Sequence, residues 1–328
     1  MAGLQAFRIH TEPVHRAGIE TLHVEDLTPG EVLIEAHWSS VNYKDALAGT
    51  GRGRILRRAP LVGGIDVAGI VAESTDPAFR PGAPVLVTGC GLGETLDGGY
   101  AERVRVPARC VVPLPDGLSL REAMILGTAG FTAAAALQRL EDNHQRPDRG
   151  PMAVTGASGG VGSLVVQMLS RLGYDVVALS RRLEHAEWLL GLGAQAVERP
   201  PREAPDRPLL SARWAGAVDN VGGDTLAALL AATRPWGNVV SIGLVGGHRI
   251  ETTVMPFILR GVALLGVTSA NYPAEGRRIL WDKLAGPWRP PHLEEVVDRE
   301  VPLGGLPAAF DDLLAGRVRG RILVRIAG

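Results

Sequence analysis

The sequence predicts an α/β protein in which a doubly wound parallel sheet is inserted into a second, β-rich domain. Three observations predict it. The N-terminal part breaks into short apolar runs between glycine and proline. From Met152 the texture alternates between a short β-type run, a turn and a helical pattern. The β-rich texture then returns after about Glu295 and closes on an apolar run over 321–326.

The runs Glu31-Val32-Leu33-Ile34-Glu35-Ala36 and Ala83-Pro84-Val85-Leu86-Val87 lie behind Pro29-Gly30 and Pro81-Gly82, the punctuation of short strands. Ser119-Leu120-Arg121-Glu122 is a helix start, with Ser as N-cap and an acid three residues on, and an alanine-rich helix follows towards Leu140. Buried strands are expected over 152–155, 175–180, 216–220, 237–243 and 263–267, with helices over 161–172 and 184–192. Alternating β and α units imply a parallel sheet covered on both faces. The proline-rich segment 199–208 is expected as a surface connection. These elements place the β-rich domain at 1–122 and 294–328, around a dinucleotide-type domain at 123–293.

A length of 328 residues suits two domains, and 46% hydrophobic with 21% charged residues suits a packed globular chain. A net charge of -1 gives no reason to propose nucleic acid or an anionic membrane as partner. No apolar stretch has membrane-spanning length, and Met1 to His10 lacks signal-peptide order, so a soluble cytoplasmic protein is expected. Cys90 and Cys110 cannot make a disulfide framework; each is expected as a small buried hydrophobe.

The strongest local signal is Thr155-Gly156-Ala157-Ser158-Gly159-Gly160-Val161-Gly162, between an expected strand and an expected helix. Gly156 permits the tight turn, Gly159 and Gly160 let backbone approach a pyrophosphate, and Gly162 lets helix pack on sheet. Backbone N–H groups at the helix start then face the anion. Sites that prefer the non-phosphorylated nicotinamide cofactor usually place an acid at the end of the second strand. Here stand Ser180-Arg181-Arg182, whose hydroxyl and guanidinium groups suit the 2′-phosphate of NADPH.

The chain resembles the medium-chain dehydrogenase/reductase superfamily. Within it the likeness is to the zinc-independent quinone-oxidoreductase-like branch and its acrylyl-CoA reductase (NADPH) group. The resemblance rests on Ser39-Ser40-Val41-Asn42-Tyr43-Lys44-Asp45-Ala46-Leu47, Gly64-Ile65-Asp66-Val67-Ala68-Gly69, Gly98-Gly99-Tyr100-Ala101-Glu102 and Gly127-Thr128-Ala129-Gly130-Phe131-Thr132-Ala133. The glycine turn, Val218-Asp219-Asn220-Val221-Gly222-Gly223, the stretch over 252–262 and the closing Gly320-Arg321 complete the series. It implies a GroES-like catalytic domain interrupted by a Rossmann domain, the active site in the cleft between them, and a homodimer. The implied NADPH contacts are Tyr43, Thr128, Ser158, Gly159, Gly160, Val161, Ser180, Arg181 and Arg182, with Leu244, Ile258 and Ser269 by the nicotinamide half. Related sequences tend to carry an Asn before the closing Gly-Arg, where this chain has Ala315-Gly316-Arg317-Val318-Arg319.

A catalytic zinc takes about three protein ligands and one open position. The two cysteines and eight histidines show no such spacing, so no metal is expected. Hydrogen-bond donors must then stabilise the enolate charge that forms when hydride reaches Cβ of an α,β-unsaturated thioester. Asn42, Tyr43 and Lys44 lie together after a β-run as candidate donors, and Asp66 as the group that orients them or relays a proton. Plainer roles stand beside these: Tyr43 stacking on nicotinamide, Lys44 facing solvent, Asp66 met by backbone N–H groups, Asn42 holding a turn. Arg260, Arg319 and Arg321 are candidates for CoA phosphates, or solvated charges. The expected substrate is an enoyl thioester, acrylyl-CoA giving propanoyl-CoA. The alternatives are NADPH:quinone reduction and noncatalytic NADPH binding.

Overall fold

A computed structural model describes residues 3–326 except 202 and 204. In chain order the first eight strands are β1 (Leu4–His10), β2 (Arg16–Leu22), β3 (Val32–Val41), β4 (Leu61–Val62), β5 (Asp66–Ser74), β6 (Pro84–Thr88), β7 (Arg103–Val106) and β8 (Val112–Pro113). Helix α1 (Tyr43–Thr50) follows β3, and α2 (Leu120–Asp142) follows β8. Then come β9 (Met152–Thr155), α3 (Gly160–Arg171), β10 (Val176–Leu179), α4 (Ala186–Gly191), β11 (Ala196–Glu198), β12 (Trp214–Asp219) and α5 (Gly223–Ala232). The chain continues through β13 (Thr233–Ser241), α6 (Met255–Arg260), β14 (Ala263–Gly266), α7 (Ala274–Ala285), β15 (Val297–Pro302), α8 (Leu306–Leu314) and β16 (Arg321–Arg325).

Two compact units result. The first comprises 1–131, 269–286 and 293–328; the second comprises 132–268 and 287–292. Relative to the division expected from sequence, residues 123–131 and 269–286 lie in the first unit. Helix α2 begins as expected: Ser119 N–H and Oγ donate to the Glu122 carboxylate (2.9 Å each), and Glu122 N–H donates back to Ser119 Oγ (3.1 Å). That reciprocal pairing satisfies donors which a helix start leaves open.

The first unit is built on a seven-stranded sheet, β15-β16-β3-β5-β6-β8, with β7 also paired to β3. The β-run read at the C-terminus therefore becomes an inner strand, β16, antiparallel to β3 and parallel to β15. A three-stranded sheet, β2-β1-β4, belongs to the same unit. Phe7, Tyr100 and Phe310 pack edge-on or tilted in its core, with centroids 5.7–6.4 Å apart.

The second unit carries a six-stranded, wholly parallel sheet in the order β11-β10-β9-β12-β13-β14. Chain order reverses between β9 and β12, and ligands of such sheets bind beyond the carboxyl ends of the strands at that point. The expected strands over 152–155, 175–180, 216–220, 237–243 and 263–267 correspond to β9, β10, β12, β13 and β14. Strand β11 was not legible, because three half-buried edge residues carry too little pattern. The connection 199–208 includes the two internal positions outside the described residues. No helix among the described residues is long and apolar enough to cross a membrane.

The cysteines require a correction. They are bonded to each other, with Cα atoms 5.7 Å apart across a separation of 20 residues. Gly89, Cys90 and Gly91 all have positive φ (64°, 55° and 94°), and this turn carries the chain from β6 back towards the turn before β8. Cys110 is fully buried beside Val32, Val85 and Val104, as a small hydrophobe would be. Sequence spacing held no sign that its neighbour there is the other cysteine.

Candidate active site

In the first unit a buried carboxylate gathers four chain segments. Asp66, the first residue of β5, is fully buried. Its carboxylate accepts from Ser40 Oγ (2.7 Å), Asn42 Nδ2 (2.8 Å), Thr128 N–H (2.9 Å) and Thr128 Oγ1 (2.6 Å). The fourth segment is β16, through Arg321. That guanidinium is 3% exposed and donates to Ser40 Oγ, Asn42 Oδ1, Val41 O and Ile125 O at 2.8–3.3 Å. A buried charge is tolerable only when paired and bonded in this way.

Thr128 can reach Asp66 because α2 breaks at Gly127, where φ is 48° and ψ is −152°. A Cβ at Gly127 would stand 2.6 Å from Asp66 Oδ2, 2.8 Å from Ser40 Oγ and 2.9 Å from Arg321 Nη2. Glycine is needed here for backbone conformation and for space.

Asp45 is the second buried carboxylate. It accepts from Asn42 N–H (2.9 Å), Asn42 Nδ2 (3.1 Å) and Ile65 N–H (3.0 Å), closing the first turn of α1. Burial, then the charge on Asp66, lifts its pKa to about 7. Tyr100 lies fully buried and donates to Ser40 O (3.0 Å). Burial and the two carboxylates push its hydroxyl well above the ordinary tyrosine range. Burial also lowers the Arg321 guanidinium, against the pull of Asp66 and Asp45.

The expected donors now have positions. Asn42 caps α1, with its amide nitrogen on Asp66 and Asp45 and its amide oxygen on Arg321. Tyr43 opens the helix and is 40% exposed. Lys44 Nζ bonds Glu94 Oε1 at 2.7 Å. Ser269 belongs to a strap in the same unit: Arg277, itself 4% exposed, donates to Ser269 O (3.1 Å) and to Thr88 O (2.7 Å). Asp45, Ser40, Glu94 and Tyr100 were not singled out from sequence, although Asp45 in the capping position behind Asn42 was a usable sign.

In the second unit Gly156 turns the chain at φ 57° after β9, and Gly159 precedes α3, which Gly160 and Val161 begin. A Cβ on Gly162 would lie 2.3 Å from Gly156 O, and one on Gly159 would meet only that oxygen, at 3.3 Å. Glycines therefore keep both turn and cradle open, with helix-start N–H groups facing an anion. Ser158 and Ser180 hydroxyls meet at 3.3 Å. Arg182 Nη2 donates to Ser158 Oγ (3.1 Å), and Arg182 N–H to Ser180 Oγ (3.1 Å). Arg181 is exposed beside them. This donor set fits a dinucleotide pyrophosphate with an added 2′-phosphate. Leu244 and Ile258 are 60% and 71% exposed, in the loop after β13 and in α6. Among the described residues no group of three or more His, Cys, Asp or Glu could hold a metal ion.

Residues 28–116 match the alcohol dehydrogenase GroES-like domain, and residues 160–285 match the zinc-binding dehydrogenase domain. A probable acrylyl-CoA reductase, AcuI, of Escherichia coli is 46% identical over 310 residues, covering 94% of this chain and 95% of that protein. A putative quinone oxidoreductase, YhfP, of Bacillus subtilis is 45% identical over 94% of each chain. The crystal structure of YhfP with NAD bound has a TM-score of 0.95, with 99% of this chain and 100% of that one covered. The yhdH oxidoreductase of Salmonella enterica, in complex with NADP, is 44% identical with a TM-score of 0.95, covering 98% of this chain and 100% of that one.

Proposed function

The chain belongs to the medium-chain dehydrogenase/reductase superfamily, and from that premise we propose that it is an NADPH-dependent reductase of acrylyl-CoA, forming propanoyl-CoA. The observation that carries the cofactor half is the Ser158–Ser180–Arg182 cluster with Arg181 beside it, where an NAD site usually has an acid. The substrate half rests on the likeness to the AcuI protein over nearly the whole chain.

Ser158, Gly159, Gly160, Val161, Ser180, Arg181 and Arg182 would hold the phosphates, with Leu244 and Ile258 of the same unit towards the nicotinamide half. When bound, NADPH supplies the hydride that goes to Cβ of the thioester. Negative charge then develops on the thioester oxygen, where a protein donor lowers the barrier, and uptake of a proton from water at Cα completes propanoyl-CoA. We assign that donor to the Tyr43 hydroxyl, which stands at the exposed start of α1. Asn42 and Asp66 position it: they fix the helix start by bonds to Asp45, Thr128 and Arg321. Lys44, the next residue, is held by its bond to Glu94.

The proposal includes a cytoplasmic homodimer. Strand β14 ends its sheet, and Trp236, Val254, Leu259 and Leu264 of that unit are apolar side chains left exposed. Sedimentation of the purified chain checks the dimer.

The test of function is oxidation of NADPH by the purified protein with acrylyl-CoA, with NADH and a simple quinone in parallel. Rapid loss of reduced-nicotinamide absorbance with the thioester and NADPH is expected. Turnover with quinone alone would move the assignment to quinone reduction. Tight NADPH binding with no turnover of either acceptor would leave a nucleotide-binding protein without the proposed reaction.

A further inference from the structure

Helix α1, which opens with Tyr43, ends at Gly51 in the left-handed conformation (φ 71°). The loop 52–58 that follows carries Arg52, Arg54, Arg57 and Arg58, all exposed. From Ala46 to Ile65 the sequence has no acidic residue, in a chain whose 34 basic and 35 acidic residues nearly balance. Among the described residues, none of the four guanidinium groups forms an ion pair or a hydrogen bond.

The backbone beneath them is fixed. Gly53 N–H donates to Leu47 O (3.2 Å), Ile55 N–H to Gly53 O (3.0 Å) and Arg57 N–H to Glu94 O (2.8 Å). Ile55 and Leu56 pack against the core of the first unit, so the loop turns its apolar side chains inward. Glu94 is an acid joined directly to this loop, and its carboxylate is already taken by Lys44 Nζ at 2.7 Å. That residue therefore links loop 52–58 to Lys44, the neighbour of Tyr43, while leaving the arginines uncompensated.

Four like charges held on one ordered loop repel one another, and a multivalent anion relieves that repulsion. Guanidinium forks match phosphate oxygens two at a time. Two of the three arginines considered first for phosphate do other work: Arg321 is buried, and Arg260 donates to the carbonyls of Leu210, Ala231 and Thr233. A CoA thioester has its reacting acyl group at one end, and a diphosphate and a phosphate monoester at the other. Its uncharged arm separates them, as the length of α1, about 12 Å for eight residues at 1.5 Å each, separates Tyr43 from the loop.

We propose that Arg52, Arg54, Arg57 and Arg58 bind the phosphates of the CoA moiety and so select CoA thioesters over uncharged acceptors. The proposal rests on reading the chain as an enoyl-thioester reductase. Two measurements separate the site from that reading. The first is calorimetric titration with free CoA of protein saturated with NADP⁺, which keeps the 2′-phosphate site filled. The second is kcat/KM for acrylyl-CoA relative to the acrylyl thioester of N-acetylcysteamine, which has no phosphate.

Replacing all four arginines by serine is expected to weaken CoA binding roughly tenfold or more and to collapse the preference for the CoA thioester by a similar factor. Replacing all four by lysine keeps the charge and is expected to restore most of both, which sets aside a folding defect. Unchanged CoA affinity and preference in the serine variant would overturn the proposal. So would displacement of CoA by inorganic phosphate at equal concentration, which would reduce the loop to a general anion patch. Turnover of the N-acetylcysteamine thioester without any CoA binding would remove the phosphate site and leave the reductase. Arginine-dependent CoA binding without turnover of either thioester would keep the site and remove the reaction.

Discussion

Asp45 should make this protein lose stability as pH rises through neutrality, against the usual behaviour of a carboxylate that gains partners on folding. The folded chain holds the Asp45 proton up to about 7, whereas the unfolded chain releases it near the ordinary aspartate value of 3.8. Across that interval the native state binds more protons than the unfolded state, so stability falls with rising pH. The contribution is complete below 3.8 and gone above about 7. At about 1.36 kcal/mol per unit, the loss between pH 5 and pH 8 comes to roughly 2–3 kcal/mol. The variant Asp45→Asn cannot ionise, but it sets an amide N–H₂ against the N–H groups of Asn42 or Ile65, a mismatch of about 1–3 kcal/mol. It should therefore be the less stable protein at pH 5 and should draw level with, or pass, the wild type by pH 8. Urea denaturation of both proteins at several pH values measures the difference, and subtraction removes the titration of groups common to the two. A difference that stays flat within about 0.5 kcal/mol over this range would refute the argument that burial and Asp66 hold the proton on Asp45.

Arg321→Leu leaves Asp66 and Asp45 without their buried counter-charge and should cost about 3–5 kcal/mol in urea denaturation; a loss below about 1 kcal/mol would sink the anchoring role. Arg321→Lys should recover little, since one ammonium cannot meet acceptors on Ser40, Val41, Asn42 and Ile125 together. Replacing Arg181 and Arg182 by alanine should raise the KM for NADPH roughly tenfold or more while leaving that for NADH nearly unchanged. Equal effects on the two cofactors would place the 2′-phosphate elsewhere. Cys90→Ser should lower stability by about 3 kcal/mol, the chain-entropy value for a closed loop of 20 residues, and a reductant should lower the wild type to the same level.

What could be read from the sequence was what periodicity and local turn chemistry encode. Strand β9, the glycine turn and α3 form one contiguous stretch, so their pattern, their glycines and the phosphate-binding inference all lay in adjacent residues. The start of α2 was legible for the same reason, since Ser119 and Glu122 act on each other three residues apart. The Cys90–Cys110 bond was not, because it depends on a positive-φ turn after β6 that no spacing rule announces. Arg321 was misplaced on a similar ground. In sequence it is one of several arginines near the C-terminus, and only the pairing of β16 with β3 carries it to Asn42.

That long-range pairing also decides how the expected donors divide their work. Asn42 has one amide nitrogen and one amide oxygen, and three buried ionisable groups, Asp45, Asp66 and Arg321, already use them. Turning that amide towards a substrate would leave Asp66 and Arg321 each short of a partner, at a cost of about 1–3 kcal/mol apiece. Lys44 faces a similar choice against Glu94, though at a partly exposed pair the penalty is smaller. Tyr43 faces none: it stands on the same rigid turn, held by its neighbours' bonds, with a large part of its surface open. A donor is most useful in catalysis when its position is fixed and its hydrogen is still available. Among the three side chains, that combination is the ground for proposing Tyr43 as the donor, since the buried network fixes its backbone and leaves its side chain open.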